Sequence, residues 1–269
     1  MADKVFDAQK EVVHIIDDIR HYFVENGRAD TKAIIGISGG KDSTIAAALL
    51  AMALGSDRVI GVLMPEGEQK DIEDARKVCK ILGIHAEEIN IGPAVDALYG
   101  CIGWGDCEIP QVRTNTPARI RMTTLYAVAA IYGGRVINTG NASEAYVGYT
   151  TKYGDLAGDY AVLRDYYVRE VYQIGEILMK LTNLPKELIY KAPADGMSGL
   201  TDEENMNFTY AELDDYLIDN IVPTANVLYE IEQRHERNKH KRVIDLPHPR
   251  SITRPYKNKH GGCFEMIPF

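Results

Sequence analysis

The sequence predicts an α/β protein built on an open parallel sheet wound with helices on both faces. Short apolar, β-branched segments alternate with helical ones along the chain. The strand-to-strand intervals suit crossover helices and not hairpins. Polar, Gly-containing turns fall where strand C-termini should lie, which is where such sheets bind ligands.

The elements follow in order. Residues 5–24 carry Val5, Val12, Ile15, Ile16, Ile19, Tyr22 and Phe23 at the spacing of an amphipathic helix. Lys32–Ile37 is β-rich, with strand 33–37, and helix 42–54, apolar all round, stops at Gly55. Strand 58–64, helix 70–82 closed by Gly83, strand 85–91 and a short helix near 93–99 come next. Residues 100–114, rich in Gly, Cys, Trp and Pro, read as irregular, either a lid carrying Trp104 or a surface excursion. A long helix, 117–132, capped by Asn115 or Thr116 with Pro117 in its first turn, leads through Gly133-Gly134 to strand 135–139. Residues 195–204 read as a flexible loop and 232–242 as a charged, solvated helix end. With no internal repeat or linker, residues 1–269 read as one domain.

Composition excludes several classes. A 269-residue chain with 45% hydrophobic and 26% charged residues is that of a soluble globular protein. Apolar runs fall short of the roughly 20 residues of a membrane helix, and the first residues lack an apolar leader, so no membrane partner and a cytoplasmic location are expected. A formal net charge of −9 argues against a broad nucleic-acid surface. It also requires local positive charge wherever a phosphate is held. Cys79, Cys101, Cys107 and Cys263 are irregularly spaced, as reduced thiols are, and Cys101-x5-Cys107 lacks the second pair that a zinc site needs.

Gly36-Ile37-Ser38-Gly39-Gly40-Lys41-Asp42-Ser43 joins the first strand to its helix. Unpaired N–H groups and the helix dipole favour an anion there, and Gly39 and Gly40 let the backbone approach it. The spacing is neither that of a Walker loop nor that of a dinucleotide fingerprint. Asp42 beside phosphates would repel them unless a cation lay between, which makes it a Mg²⁺ ligand candidate. The plainer alternative is that Ser38 and Asp42 cap the helix. The loop resembles the pyrophosphate loop of the ATP pyrophosphatases, which makes ATP the expected substrate.

Residues 115–165 carry the second group of candidates. Arg119 and Arg121, near an expected helix start, oppose the dipole, which suggests a grip on carboxylate or phosphate, with a solvated helix face as the alternative. Asn138-Thr139-Gly140-Asn141-Ala142-Ser143-Glu144 leaves a strand end, with Glu144 a second Mg²⁺ ligand candidate. Thr150–Asp159 is a polar loop in which Lys152 is a mobile cation.

The Ser38–Ser43 loop, Ala118-Arg119-x-Arg121-Met122-x-x-Leu125-Tyr126, Thr151-Lys152-Tyr153-Gly154-Asp155 and His240-Lys241 occur in the order found in ammonia-dependent NAD synthetases, which the chain resembles over about residues 30–245. The resemblance implies a five-stranded, adenine nucleotide alpha hydrolase-like sheet with Rossmann-type layers. It implies ATP on residues 36–43 and Thr139, and Mg²⁺ on Asp42 and Glu144. Arg119, Lys152, Asp159, His240 and Lys241 would contact deamido-NAD, in a homodimer joined through helix 117–132. Two positions depart from the family pattern: Val168 stands where many members have Lys, and Ala194 where many have a hydroxyl residue. Arg169 and Lys191 are adjacent sources of the missing charge.

The implied reaction is the last step of NAD biosynthesis, in which a nicotinate carboxylate is adenylated by ATP and ammonia then displaces AMP. Lys152 and Asp159 are the catalytic candidates, Asp159 as the base that deprotonates ammonium. No Ser-His-Asp or Cys-His nucleophile is needed or found. Glutamine use would demand a further catalytic site, and residue 2 is Ala, so free ammonia is the expected donor. Two other readings stay open: a different adenylating enzyme with the same loop, and a non-enzymatic nucleotide-binding module of the electron-transfer flavoprotein type.

Overall fold

The computed structural model describes residues 6–69, 72–103, 109–191, 201–244 and 246–254. Along the chain run α1 (Ala8–Glu25), β1 (Lys32–Gly36), α2 (Lys41–Leu54), β2 (Val59–Leu63), α3 (Ile72–Leu82), β3 (His85–Glu88), α4 (Gly92–Ile102), α5 (Pro110–Tyr132) and β4 (Gly134–Asn138). Then follow α6 (Ala142–Val147), β5 (Tyr160–Ala161), α7 (Val168–Thr182), α8 (Lys186–Ile189), α9 (Asp202–Met206), α10 (Tyr210–Asp219) and α11 (Ala225–Arg237), with a 3₁₀ turn at Lys239–Lys241. The strands form one parallel sheet in the order β3-β2-β1-β4-β5. The chain therefore steps outward from β1 to β3, then returns to the other side of β1, and the order reverses between β1 and β4.

Strand alternation decides which helices cover which face. Ile34, Ile60, Val62 and Val136 pack with Val128 and Ala129 of α5. Ala33, Ile35, Val59, Leu63 and Ile137 share the opposite core with α1, α2, α3 and α7. Both faces are buried, as uninterrupted apolar strands require. Helix α2 lies between the sheet and a layer of α1 and α7, and its apolar circumference follows from burial on every side. Beyond the strand ends a second core of Tyr146, Tyr167, Met206, Phe208, Tyr210 and Leu213 ties α6, α7, α9, α10 and α11 together.

Several expected boundaries are corrected. Strand 85–91 shortens to an edge strand of four residues, His85-Ala86-Glu87-Glu88, too polar to be buried on both sides. Helix α5 begins seven residues before the expected 117, with Pro110 in its first turn and Pro117 inside the helix. Asn115 and Thr116 are therefore not caps; Asn115 instead accepts the Thr151 hydroxyl at 2.8 Å. Arg119 and Arg121 consequently lie mid-helix, away from the positive end, so the dipole argument for their role does not hold. Strand β5, only two residues long, offers no periodicity to read. Thr201 caps α9 in a reciprocal box with Glu204, so 201–204 is ordered helix start; the rest of the 195–204 loop, like Trp104, lies outside the described residues. None of the described helices is long and apolar enough to cross a membrane.

Residues 246–254 return to the first helix. Fully buried Glu11 accepts hydrogen bonds from Ser251 Oγ (2.8 Å), Thr253 N (2.7 Å), Ile252 N (3.1 Å) and Tyr166 Oη (3.0 Å). Arg254 reaches Glu170 at 2.6 Å and lies over the Tyr167 ring. Burial pushes the Glu11 carboxyl up, but the bonds from Thr253, Ser251 and Tyr166 outweigh it and hold it below the ordinary glutamate range. A depressed carboxyl contributes stability that is present above its unfolded-state pKa and lost as pH falls through the folded value. Glu11→Gln is therefore expected to cost about 3 kcal/mol near neutral pH. Urea unfolding from pH 7 to pH 3 should show the variant losing less stability with acid than the parent; equal slopes would contradict the assignment.

Candidate active site

The crevice opened by the strand-order reversal lies beyond the C-terminal ends of β1 and β4. From β1 the chain passes into the Ser38–Gly40 turn. Gly39 has φ +79°, and a Cβ there would stand 2.8 Å from Asp74 Cβ, so conformation and space both demand glycine. Ser38 Oγ accepts Gly40 N at 3.2 Å and meets Ser43 Oγ at 3.0 Å, bracing the turn. Gly40 is the N-cap of α2, and no side chain caps it. The helix-cap reading of Ser38 and Asp42 is thus corrected: the first amides of α2 keep the anion-binding end of the helix unoccupied by a side chain.

Lys41, only 3% exposed, donates to Asp42 Oδ2 at 2.7 Å and lies against the Tyr172 and Tyr210 rings, 5.8 and 5.6 Å from their centroids. Asp42 Oδ1 accepts Asn141 Nδ2 at 3.2 Å across the crevice. Asn141 is the N-cap of α6 and forms a reciprocal capping box with Glu144: Glu144 N donates to Asn141 Oδ1 (3.0 Å) and Asn141 N to Glu144 Oε2 (3.1 Å). Loop and strand end thus meet through one amide side chain. Burial disfavours the Lys41 ammonium, yet Asp42 and Glu144 outweigh that and raise its pKa above the ordinary lysine value. Glu144 moves up as well, through burial first and then the charge of Asp42, with Lys41 opposing.

Thr139 follows β4 directly, between Asn138 and Gly140, whose amide donates to Asn138 Oδ1 at 2.9 Å. Asn138 Nδ2 holds the carbonyls of Asp155 (2.7 Å) and Ala157 (3.1 Å), anchoring the 150–159 loop to the strand end. Gly154 lets this loop touch Ala118 of α5, where a Cβ would stand 3.1 Å from the Ala118 side chain. Arg119 Nε donates to Lys152 O at 3.3 Å, and Arg121 Nε to Met64 O at 3.1 Å. Lys152 Nζ lies over its neighbour Tyr153. Lys241 Nζ donates to Gly148 O (2.8 Å) and Thr150 O (2.7 Å). Its pKa is lowered, by burial first and also by Arg237, Arg119 and Arg234, with Asp155 opposing. Arg119, Arg234, Arg237 and Lys241 therefore form one basic edge beside the 150–159 loop, with His240 exposed next to it.

Asp159 stands apart from both groups. Its Oδ2 accepts Val136 N at 2.7 Å and its Oδ1 the Tyr126 hydroxyl at 3.3 Å, against the middle of β4. Val168, in place of a lysine, is buried in the second core, its amide donating to Ser143 Oγ at 3.0 Å. Of its proposed substitutes, Arg169 pairs with Asp215 and, at 2.6 Å, with Asp219, whereas Lys191 pairs at 2.7 Å with Asp74, the residue packed against Gly39. Ala194 and Cys107 lie outside the described residues. Among the described residues no group of three or more His, Cys, Asp or Glu side chains is arranged around one point as a metal site. Sequence reasoning missed Asn141, whose Asn-x-x-Glu spacing is a readable capping signal, and Arg234 and Arg237, hidden in a run that composition assigns to solvent. Nothing local marks Tyr172 and Tyr210 as the walls around Lys41.

A family model described as NAD synthase matches residues 11–246. The chain is 39% identical over 229 residues to the NH(3)-dependent NAD(+) synthetase of Thermococcus kodakarensis, covering 79% of this chain and 87% of that one. Among solved structures it resembles the NMN synthetase of Francisella tularensis, with TM-score 0.81 and 32% identity over 90% of this chain and 98% of that one. It also resembles the NH3-dependent NAD synthetase of Campylobacter jejuni, with TM-score 0.66 and 27% identity over the same shares of each chain. With the family's pattern extending over most of its length and its parallel sheet shared with solved members, the chain belongs to the NAD synthase family.

Proposed function

We propose that the protein uses ATP to activate the nicotinate carboxylate of deamido-NAD and amidates it with ammonia in the cytoplasm, giving NAD, AMP and pyrophosphate. The observation that carries this reading is the joining of an uncapped anion loop, through Asn141, to a helix that bears Glu144 and leads to a basic edge. One half suits a nucleoside triphosphate and the other an anionic acceptor.

ATP is assigned to Gly36, Ile37, Ser38, Gly39, Gly40, Lys41, Asp42 and Ser43, with Thr139 at the adjoining strand end. The residues present fit Mg²⁺: burial first and then the charge of Asp42 raise Glu144, and a hard cation held by one or two carboxylates plus phosphate oxygens would relieve both. Asp42 and Glu144 would hold that ion, which supplies positive charge at the phosphates when bound. Lys41 and the first amides of α2 neutralise the pyrophosphate as it leaves. Arg119, Lys152, His240 and Lys241 hold the acceptor, whose carboxylate oxygen bonds to the α-phosphorus while the bond to pyrophosphate breaks. Ammonia then attacks the acyl carbon and AMP departs with the electron pair. Asp159 is the base for this second step, a role that requires it to release the Tyr126 hydroxyl and the Val136 amide and to turn from β4 toward the acceptor. The protein acts as a homodimer, a state that fits the exposed Tyr126 and Ile131 on α5 and Leu98 and Ile102 on α4.

A second reading follows from the Francisella tularensis neighbour, an NMN synthetase: the acceptor is nicotinate mononucleotide and the product its amide. Purified protein with Mg²⁺, ATP and ammonium, given either acceptor, separates the two by kcat/KM, with NAD formation from deamido-NAD expected to dominate. No amide from either acceptor under saturating ammonium would refute both.

Glu144→Gln should lower kcat by roughly 100-fold, as loss of a charge at a phosphoryl-transfer site does, and raise the Mg²⁺ concentration for half-maximal rate; an unchanged Mg²⁺ requirement would remove Glu144 from the metal. Lys191→Met should raise the KM for ATP about 10-fold, the loss of one charge-assisted contact, while Arg169→Met should leave it unchanged. Equal ATP kinetics in both variants would dismiss Lys191 as the substitute cation.

A further inference from the structure

Helix α6 has six residues, too few to hold itself together in water, so its caps determine where Glu144 sits. Its amino end is fixed on Asp42 through Asn141. Its carbonyl end is fixed from the far end of the chain. Glu144 O accepts Tyr149 N at 2.9 Å and Ala145 O accepts Gly148 N at 3.3 Å, which closes the local turn. The following carbonyls are taken by residues 235–242. His235 Nδ1 donates to Tyr146 O at 3.0 Å, Asn238 Nδ2 to Val147 O at 3.0 Å, and Lys241 Nζ to Gly148 O and Thr150 O. Arg242 Nη1 reaches Tyr146 O at 3.4 Å and His235 O at 2.6 Å.

The cap is built closely. The His235 ring stacks on Tyr146 with centroids 4.1 Å apart and planes 26° from parallel. Arg242 Nη2 lies 3.3 Å from His235 Nε2, so Nε2 accepts and the imidazole is neutral with its proton on Nδ1. Gly148 has φ +67°, and any Cβ there would overlap Asn238. Carbonyls at a helix end need partners, and here a single remote segment provides those of Tyr146, Val147 and Gly148. That segment also carries His240 and Lys241. The helix bearing Glu144 and the edge assigned to the acceptor are therefore joined through these hydrogen bonds.

We infer that His235 and Asn238 are positioning residues: by capping α6 they set Glu144 from the acceptor side and couple the acceptor site to the ATP site. The inference rests on the roles given above to Glu144, His240 and Lys241. An acceptor that steadies residues 238–242 also steadies α6, so each substrate strengthens binding of the other by the same factor.

The test measures the Kd of Mg²⁺·α,β-methylene-ATP with and without saturating acceptor, using whichever of deamido-NAD and nicotinate mononucleotide the parent protein amidates. The parent should bind the analogue at least ~5-fold more tightly with acceptor present, the low end of ordinary coupling. Asn238→Ala should bring that factor close to one. His235→Gln, which keeps an N–H for Tyr146 O, should retain most of it, and His235→Phe, which keeps the stack and loses the donor, should not. A merely structural role would change the melting temperature of these variants without changing the coupling factor. Should Asn238→Ala fail to fold, the His235 pair decides alone. Parental coupling in Asn238→Ala or in His235→Phe, or no coupling in an active parent, would overturn the inference. A parent that binds both ligands yet forms no amide would instead refute the proposed function.

Discussion

An ammonium removed from water must be matched by negative charge, and at Lys41 that requirement organises the whole crevice. Asp42 pairs with it directly and Glu144 adds its charge from α6. Two carboxylates drawn toward one ammonium repel each other, so their spacing needs a neutral spacer that bonds to both sides. Asn141 is that spacer: its amide donates to Asp42, its carbonyl oxygen accepts from the Glu144 backbone, and its own N–H holds the Glu144 side chain. The sheet makes this possible. The strand order reverses between β1 and β4, and the ends of these two neighbouring strands leave room for polar groups between them.

The balance of charge across the molecule is resolved locally. The chain carries a formal net charge of −9, yet Arg119, Arg234, Arg237 and Lys241 concentrate positive charge along one edge. The carbonyl partners of Arg119, Arg234 and Lys241 restrain them without neutralising them. Lys241, bonded to two carbonyls, is held in one place, which suits a group meant to meet an anion repeatedly in one geometry.

The fold was legible where burial is symmetrical. Strands β1, β2 and β4 and helix α2 are apolar on both sides, and that pattern survives in the sequence without knowledge of neighbours. It failed at the edges. The outer strands β3 and β5 are polar or too short to show a period, and α5 passes through Pro117 because its neighbours hold it where local preference would begin a new helix. In the site, the loop at 36–43 was readable because glycine, hydroxyl and acid each have a local reason to be there. The partners of Lys41 were not, since Tyr172 and Tyr210 come from helices more than a hundred residues downstream and look like ordinary core. The placement of Asp159 against β4 was likewise invisible, because it depends on a sheet edge that only two residues form.

The clasp around Glu11 has a meaning for how the protein is made. Its carboxylate leaves the ribosome about 240 residues ahead of Ser251, Ile252 and Thr253, which complete its shell. Until they arrive, Tyr166 supplies one of the hydrogen bonds to this buried carboxylate and the others are missing. The polar shell of Glu11 is therefore complete only once residues 251–253 are present, after every strand of the sheet has been made.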